Sequence, residues 1–132
     1  MLRCMLLSKI HFAVVSEARV DYEGSITIPP EAAEAAGFLP GERVLVANTR
    51  NGERFVTYVM IGAEPGRFGL NGAAAKLGVP GDRVIVLSFA WMDEEEARSH
   101  RPRRVFMDES NRIKRIEGPE PRHGYAVEGQ DP

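Results

Sequence analysis

The sequence predicts a mainly β domain, a small barrel with internal pseudo-twofold symmetry, and three observations lead there. Short apolar runs of strand character are separated by Pro-Gly and Asn-Gly turns along most of the chain. Three stretches carry helix signals, and all are short. A segment also recurs: Gly37-Phe38-Leu39-Pro40-Gly41-Glu42-Arg43-Val44-Leu45-Val46 matches Gly78-Val79-Pro80-Gly81-Asp82-Arg83-Val84-Ile85-Val86 with one residue deleted. Each copy follows an Ala-rich helix and precedes a strand. With no room for long crossovers, two such units suit two halves of one barrel.

Taken in order, residues Leu2 to Val15 read as extended, with a break near Ser8-Lys9, and Ala18 to Tyr22 continue the β character. Gly24-Ser25 hands over to a short strand, Ile26-Thr27-Ile28. Pro29-Pro30 ends that strand and opens a helix through Glu31 to Ala36, which Gly37 stops. Pro40-Gly41-Glu42 turns into the strand Arg43 to Asn48. Asn51-Gly52 is a strong hairpin signal leading into Arg54 to Ile61. Phe68-Gly69-Leu70 follows, and Asn71 to Leu77 reads as a loop entering a short helix. Pro80-Gly81-Asp82 turns into the apolar strand Arg83 to Trp91. An acidic surface helix is expected over Asp93 to Arg98, and Val105-Phe106-Met107 as an edge strand. The expected domain covers residues 1–116. Residues 117–132, Gly/Pro-rich and polar, are expected to be a disordered tail in which His123 and Tyr125 are bystanders.

Composition narrows the function classes. The 132 residues make one domain, 43% hydrophobic, with 17 basic and 19 acidic residues and a net charge of −2. No whole-protein field points to nucleic acid or an anionic membrane. The single cysteine, Cys4, excludes an internal disulfide and suits a reducing cytosol. Arg3, Lys9 and His11 break the apolar N-terminus, and no run nears the roughly 18 apolar residues of a membrane helix. The expectation is a cytoplasmic protein with no membrane and no nucleic-acid partner.

Four spots carry side chains suited to chemistry. Lys9-Ile10-His11 puts two cationic or titratable groups on one face of a strand. Arg54, with Val56 and Tyr58 on its face, offers a planar fork for a carboxylate and a phenol that can give or take a proton. Asn71-Gly72-Ala73-Ala74-Ala75 leaves backbone N–H groups uncovered at a helix start. Gly24-Ser25, by itself a turn, places a hydroxyl beside a preceding carbonyl. Metal clusters, P-loops, dinucleotide fingerprints and nucleophile elbows are absent from the sequence. Each spot alone reads most simply as ordinary structure.

Together they resemble one family, pyruvoyl-dependent aspartate 1-decarboxylase. The resemblance is carried by Met5-Leu6 with Lys9-Ile10-His11, Tyr22-Glu23-Gly24-Ser25, Ala35-Ala36-Gly37, Asn51-Gly52 with Arg54-Phe55 and Thr57-Tyr58, Asn71 to Ala75, Pro80-Gly81-Asp82, and Glu94 to Arg98, in register over about residues 1–116. It implies a double-psi β-barrel, a homotetramer, and a proenzyme that cuts itself between Gly24 and Ser25. A β chain of residues 1–24 and an α chain of residues 25–132 would result. Ser25 would become a covalent pyruvoyl cofactor, with no metal, that accepts electrons as aspartate loses carbon dioxide to give β-alanine for pantothenate synthesis. By the same resemblance Thr57 assists self-cleavage and Tyr58 is the proton donor. Arg54, Thr57, the Gly72-Ala73-Ala74 backbone and Lys9 from a neighbouring subunit bind the substrate. His11, Tyr22 and Asn71 support the site, and a maturation partner is left open.

Three positions depart from the family pattern: Asp21 and Lys76 stand where histidine is common, and Ala47 where an aromatic is common. Asp21 bears on the self-cleavage rate. Ala47 bears on pocket size, which keeps β-methylaspartate and cysteine sulfinate open as alternative substrates. A non-enzymatic alternative rests on Gly24 to Val44, which also looks like swapped-hairpin DNA-binding domains. Residues 24 to 42 contain no lysine or arginine, and Glu31, Glu34 and Glu42 make the segment acidic.

Overall fold

Six strands close into a barrel in the computed structural model, which describes residues 1–121. The strands are β1 (Leu2–Arg19), β2 (Ser25–Ile28), β3 (Arg43–Asn48), β4 (Arg54–Ile61), β5 (Phe68–Asn71) and β6 (Arg83–Asp93). Their order is β5-β2-β4-β3-β6-β1, and a β1–β5 pairing closes the ring. Closure leaves no free edge within the barrel. Two further strands, β7 (Arg103–Met107) and β8 (Ile113–Glu117), extend the sheet beyond β1. The helices are α1 (Pro30–Ala36), a 3-10 turn over Gly72–Lys76, and α2 (Glu94–Ser99).

The recurring segment is the pivot of the pseudo-symmetry. The Gly41 amide donates to Val59 O at 2.7 Å, and the Val59 amide returns to Glu42 O at 2.9 Å. In the other half Gly81 donates to Val15 O, and Val15 to Asp82 O, both at 2.8 Å. At these points β1 and β4 change partner. β1 leaves β6 after Val14 and joins β5 at Val15, while β4 leaves β3 after Tyr58 and joins β2 at Val59. The short strands β2 and β5 then pair antiparallel to each other, with Ser25 opposite Asn71. This is the double-psi β-barrel.

Local chemistry explains the elements. Pro30 opens α1, where its missing N–H costs nothing, and Gly37 ends it at φ 78° with its amide on Glu34 O. Ala32, Ala33 and Ala36 let α1 lie close on the barrel. In α2 the Asp93 carboxylate accepts the Glu96 amide at 2.8 Å, a side-chain cap. The core is mostly β-branched: Ile10, Val15, Ile26, Ile28, Val44, Val46, Val59, Val84 and Val86 are buried with Phe68 and Leu70. Each such side chain contributes roughly 1.5–3 kcal/mol.

Three expectations need correction. The strand around Val105 is not an edge: β7 lies between β1 and β8, and β8 takes the edge. Its polar sequence, with Lys114, Arg115 and Glu117, hid it, because an edge strand needs only one apolar face. The Asn71–Leu77 helix is a five-residue 3-10 turn, and Asn71 itself completes β5. β1 runs unbroken to Arg19; the break foreseen near Ser8 is a register shift between Leu6 and Ser8. Past Glu117 the chain lies against the barrel, where Pro119 O accepts a hydrogen bond from Arg103 at 2.8 Å. Residues 122–132 of the expected tail, with His123 and Tyr125, lie outside the described residues.

The turn residues Glu42 and Asp82 are equivalent in position but not in electrostatics. Glu42 takes the Leu39 amide at 2.9 Å, and burial raises its pKa. Asp82, 4% exposed, accepts from Arg50, Asn48 and the Val79 amide. The Arg50 hydrogen bond is the main reason its pKa falls to about 2. Because the folded pKa is depressed, the stabilisation is full above about pH 4, the unfolded carboxylate value, and is lost as the pH drops through about 2. Asp82→Asn is expected to cost about 1–3 kcal/mol at neutral pH. Urea unfolding at pH 7 and at pH 2 checks this: the gap between variant and wild type should close at pH 2, and a pH-independent gap would refute it.

Candidate active site

Ser25 opens β2 and is fully buried at its junction with β5. Its Oγ donates to Glu23 O at 3.1 Å, accepts from Asn71 Nδ2 at 2.9 Å, and lies 3.7 Å from Met60 Sδ. A hydroxyl buried against the carbonyl two residues back is held inside the turn that contains the Gly24–Ser25 peptide bond. A cleft of about 290 Å³ opens beside it, lined by Gly24, Phe55, Val56, Thr57, Tyr58, Asn71, Ala73, Ala74 and Leu77.

β4 supplies the functional wall of that cleft. Thr57 and Tyr58 both reach it, as do their neighbours Phe55 and Val56. Tyr58 Oη donates to Glu23 Oε2 at 3.1 Å. Desolvation, with the Glu23 carboxylate adding to it, raises the phenol's pKa, so Tyr58 keeps its proton.

The opposite wall depends on Gly72. A Cβ there would stand 2.6 Å from Gly24 Cα and 2.9 Å from Gly24 N, and φ is 66°. Only glycine lets the Gly24 turn seat so closely. Gly72→Ala is expected to cost about 1–3 kcal/mol through strain and displacement of that turn. Chemical unfolding against wild type measures it, and an unchanged midpoint would refute the contact.

The structure therefore brings Gly24, Ser25, Thr57, Tyr58, Asn71, Gly72, Ala73 and Ala74 together. Arg54 starts β4 beside the cleft, exposed and without an ion-pair partner among the described residues. Tyr22 turns outward under the Arg19 guanidinium, 4.6 Å from its ring centroid. Lys9 and His11 are not in the cleft of their own chain. They sit on β1 between β6 and β7, and β6 is three strands from β2 either way round the barrel. Burial, then Lys9 and Arg83, lowers the pKa of His11. Of the three departures, Asp21 is exposed in the turn after β1 and Lys76 is exposed. Ala47 does not line the cleft but stands directly across from Arg54 on β3.

Sequence reasoning missed the Glu23 carboxylate, Met60 and Thr27. Period-two alternation places Thr27 on the side of Ser25, which was a readable signal. The other two depend on which strands pair.

Comparison with known proteins agrees with this geometry. Residues 1–114 match the family model described as aspartate decarboxylase. An aspartate 1-decarboxylase of Chlorobium limicola is 50% identical over 112 residues, covering 84% of this chain and 88% of its own. One from a Geobacillus species is 46% identical over 124 residues, 93% of this chain and 98% of its own. One from Clostridium beijerinckii is 49% identical over 117 residues, covering 88% and 94%. The likeness to DNA-binding hairpins spans only residues 24–44, a small part of that match. The chain belongs to the aspartate decarboxylase family.

Proposed function

We infer that this chain is an aspartate 1-decarboxylase, a carboxy-lyase that converts L-aspartate to β-alanine and carbon dioxide, acting in the cytoplasm for pantothenate synthesis. The observation that carries the reading is Ser25: buried, with Oγ fixed between Asn71 and Glu23 O, beside a cleft that holds a protonated Tyr58.

The site fits a cofactor made from Ser25. Ser25 Oγ adds to the Gly24 carbonyl carbon, the C–N bond breaks, and the hydroxyl proton ends on the Ser25 nitrogen, leaving an ester. Removal of the Ser25 Cα proton and rupture of Cβ–Oγ release Gly24 as a carboxylate. The remaining enamine tautomerises and takes up water, losing ammonia, and a pyruvoyl group caps residue 26. Thr57, which lines the cleft with Gly24, would hydrogen-bond the oxyanion of the first step. Gly72 supports the fit, since the space a Cβ would fill holds Gly24 instead.

The pyruvoyl carbonyl supplies the electron sink that α-decarboxylation needs. Tyr58 Oη then delivers its proton to the carbon that has lost carbon dioxide. The unpaired Arg54 fork takes the side-chain carboxylate. The backbone of Gly72, Ala73 and Ala74 completes the binding wall, with Asn71 and Tyr22 in support.

A homotetramer completes the site, with Lys9 supplied by a neighbouring copy and His11 in support. An exposed apolar face supports association: Trp91, 69% exposed, with Phe89, Val56 and Cys4 around a shared cavity on β1, β4 and β6. The test is intact mass together with carbon dioxide release. Purified protein should show two pieces divided at Gly24/Ser25 and should release carbon dioxide from aspartate in preference to β-methylaspartate, glutamate and cysteine sulfinate. A chain that stays whole and inactive on every acid would overturn the reading.

A further inference from the structure

We propose that Thr27 is a positioning residue for self-cleavage, acting through Asn71. The proposal rests on the self-cleavage reading above. Thr27 lies two residues beyond Ser25 on β2, so both side chains leave the same side of the strand. Asn71 faces them from β5, directly opposite Ser25. The two hydrogens of its Nδ2 are shared out, one to Ser25 Oγ and one to Thr27 Oγ1, each at 2.9 Å.

This arrangement fixes the carboxamide against Ser25 at two points. With both N–H groups engaged by hydroxyls, Asn71 donates to Ser25 and cannot take its proton. The Ser25 hydrogen then points to Glu23 O, and the Asn71 N–H holds Oγ in one rotamer within the Gly24 turn. Without Thr27 Oγ1, one N–H loses its partner, and the carboxamide is no longer held in place against Ser25.

The packing around Thr27 shows that its own side chain is held. A Cβ at Gly62 would stand 2.7 Å from Thr27 Cγ2, and one at Gly69 would lie 3.5 Å from Thr27 Cβ. Two glycines on neighbouring segments make room for the threonine methyl, and a β-branched side chain in a strand has few rotamers to choose from. Thr27, Asn71 and Ser25 form a chain of contacts anchored at its far end.

The experiment is a time course of chain cutting in freshly purified full-length protein, followed by denaturing gel and intact mass, with melting curves to check folding. Thr27→Ala and Thr27→Val should each cut more slowly by about 10-fold or more, whereas Thr27→Ser should stay within about threefold of wild type. Valine keeps the methyl and serine keeps the hydroxyl, so packing and hydrogen bonding make opposite predictions. If wild type cuts and Thr27→Val keeps pace with it, or Thr27→Ser is as slow as Thr27→Ala, the role of Thr27 is overturned and self-cleavage stands. If wild type itself never cuts, self-cleavage falls, and the role of Thr27 with it.

Discussion

Ser25→Ala is expected to remain one chain of 14.6 kDa and to lose aspartate decarboxylation by on the order of 10⁴-fold or more. Two losses coincide in one atom. In the proposed mechanism Oγ is the nucleophile toward Gly24, and Cβ–Oγ is the bond whose rupture opens the way to the pyruvoyl group. Neither Asn71 Nδ2, a donor only, nor Cys4, exposed near the start of β1, can stand in for it. Alanine removes a buried oxygen that contacts Asn71 and Glu23, so Asn71 retains Thr27 as partner and the fold should survive. Intact mass and carbon dioxide release read the two losses separately. An uncut Ser25→Ala protein that still decarboxylates aspartate would remove the pyruvoyl group from the mechanism.

Tyr58→Phe is expected to keep cutting itself while kcat falls by about 10²–10⁴-fold. The two functions separate because of where the hydroxyl points. Tyr58 Oη bonds to the Glu23 carboxylate, whereas Ser25 Oγ is held by the Glu23 backbone carbonyl and Asn71. Phenylalanine keeps the ring that walls the cleft and removes only the proton donor. KM should therefore change much less than kcat. Single-turnover kinetics on fully cut protein would measure this, and unchanged carbon dioxide release with normal β-alanine formation would assign the proton transfer to another group.

Much of the fold was legible in the sequence because its punctuation is chemical. Pro30 and Gly37 bound α1, Asn51-Gly52 places the β3–β4 hairpin, and the repeated Pro-Gly-acid turn announced two equivalent halves. β8 was not legible, since its residues alternate weakly and its partner β7 is distant from the barrel signals. The same division runs through the site. The family resemblance pointed to Ser25, Thr57 and Tyr58, whose residue types carry the chemistry. It could not show the Glu23 carboxylate that Tyr58 bonds or the Thr27 hydroxyl that shares Asn71.

What the sequence determined by itself is therefore local or compositional: one β-rich domain, its turns and short helices, a Gly-Ser pair with suitable groups downstream, and membership of a family. Tertiary structure decided the rest. Pairing of β2 with β5 sets Asn71 opposite Ser25, a contact across 46 residues of chain. Close approach of Gly72 to Gly24 seats the Gly24–Ser25 turn, and Lys9 lies between β6 and β7, outside its own chain's cleft. Register and closure are long-range choices made by burying the Val and Ile faces together, and no window of sequence contains both sides of such a contact.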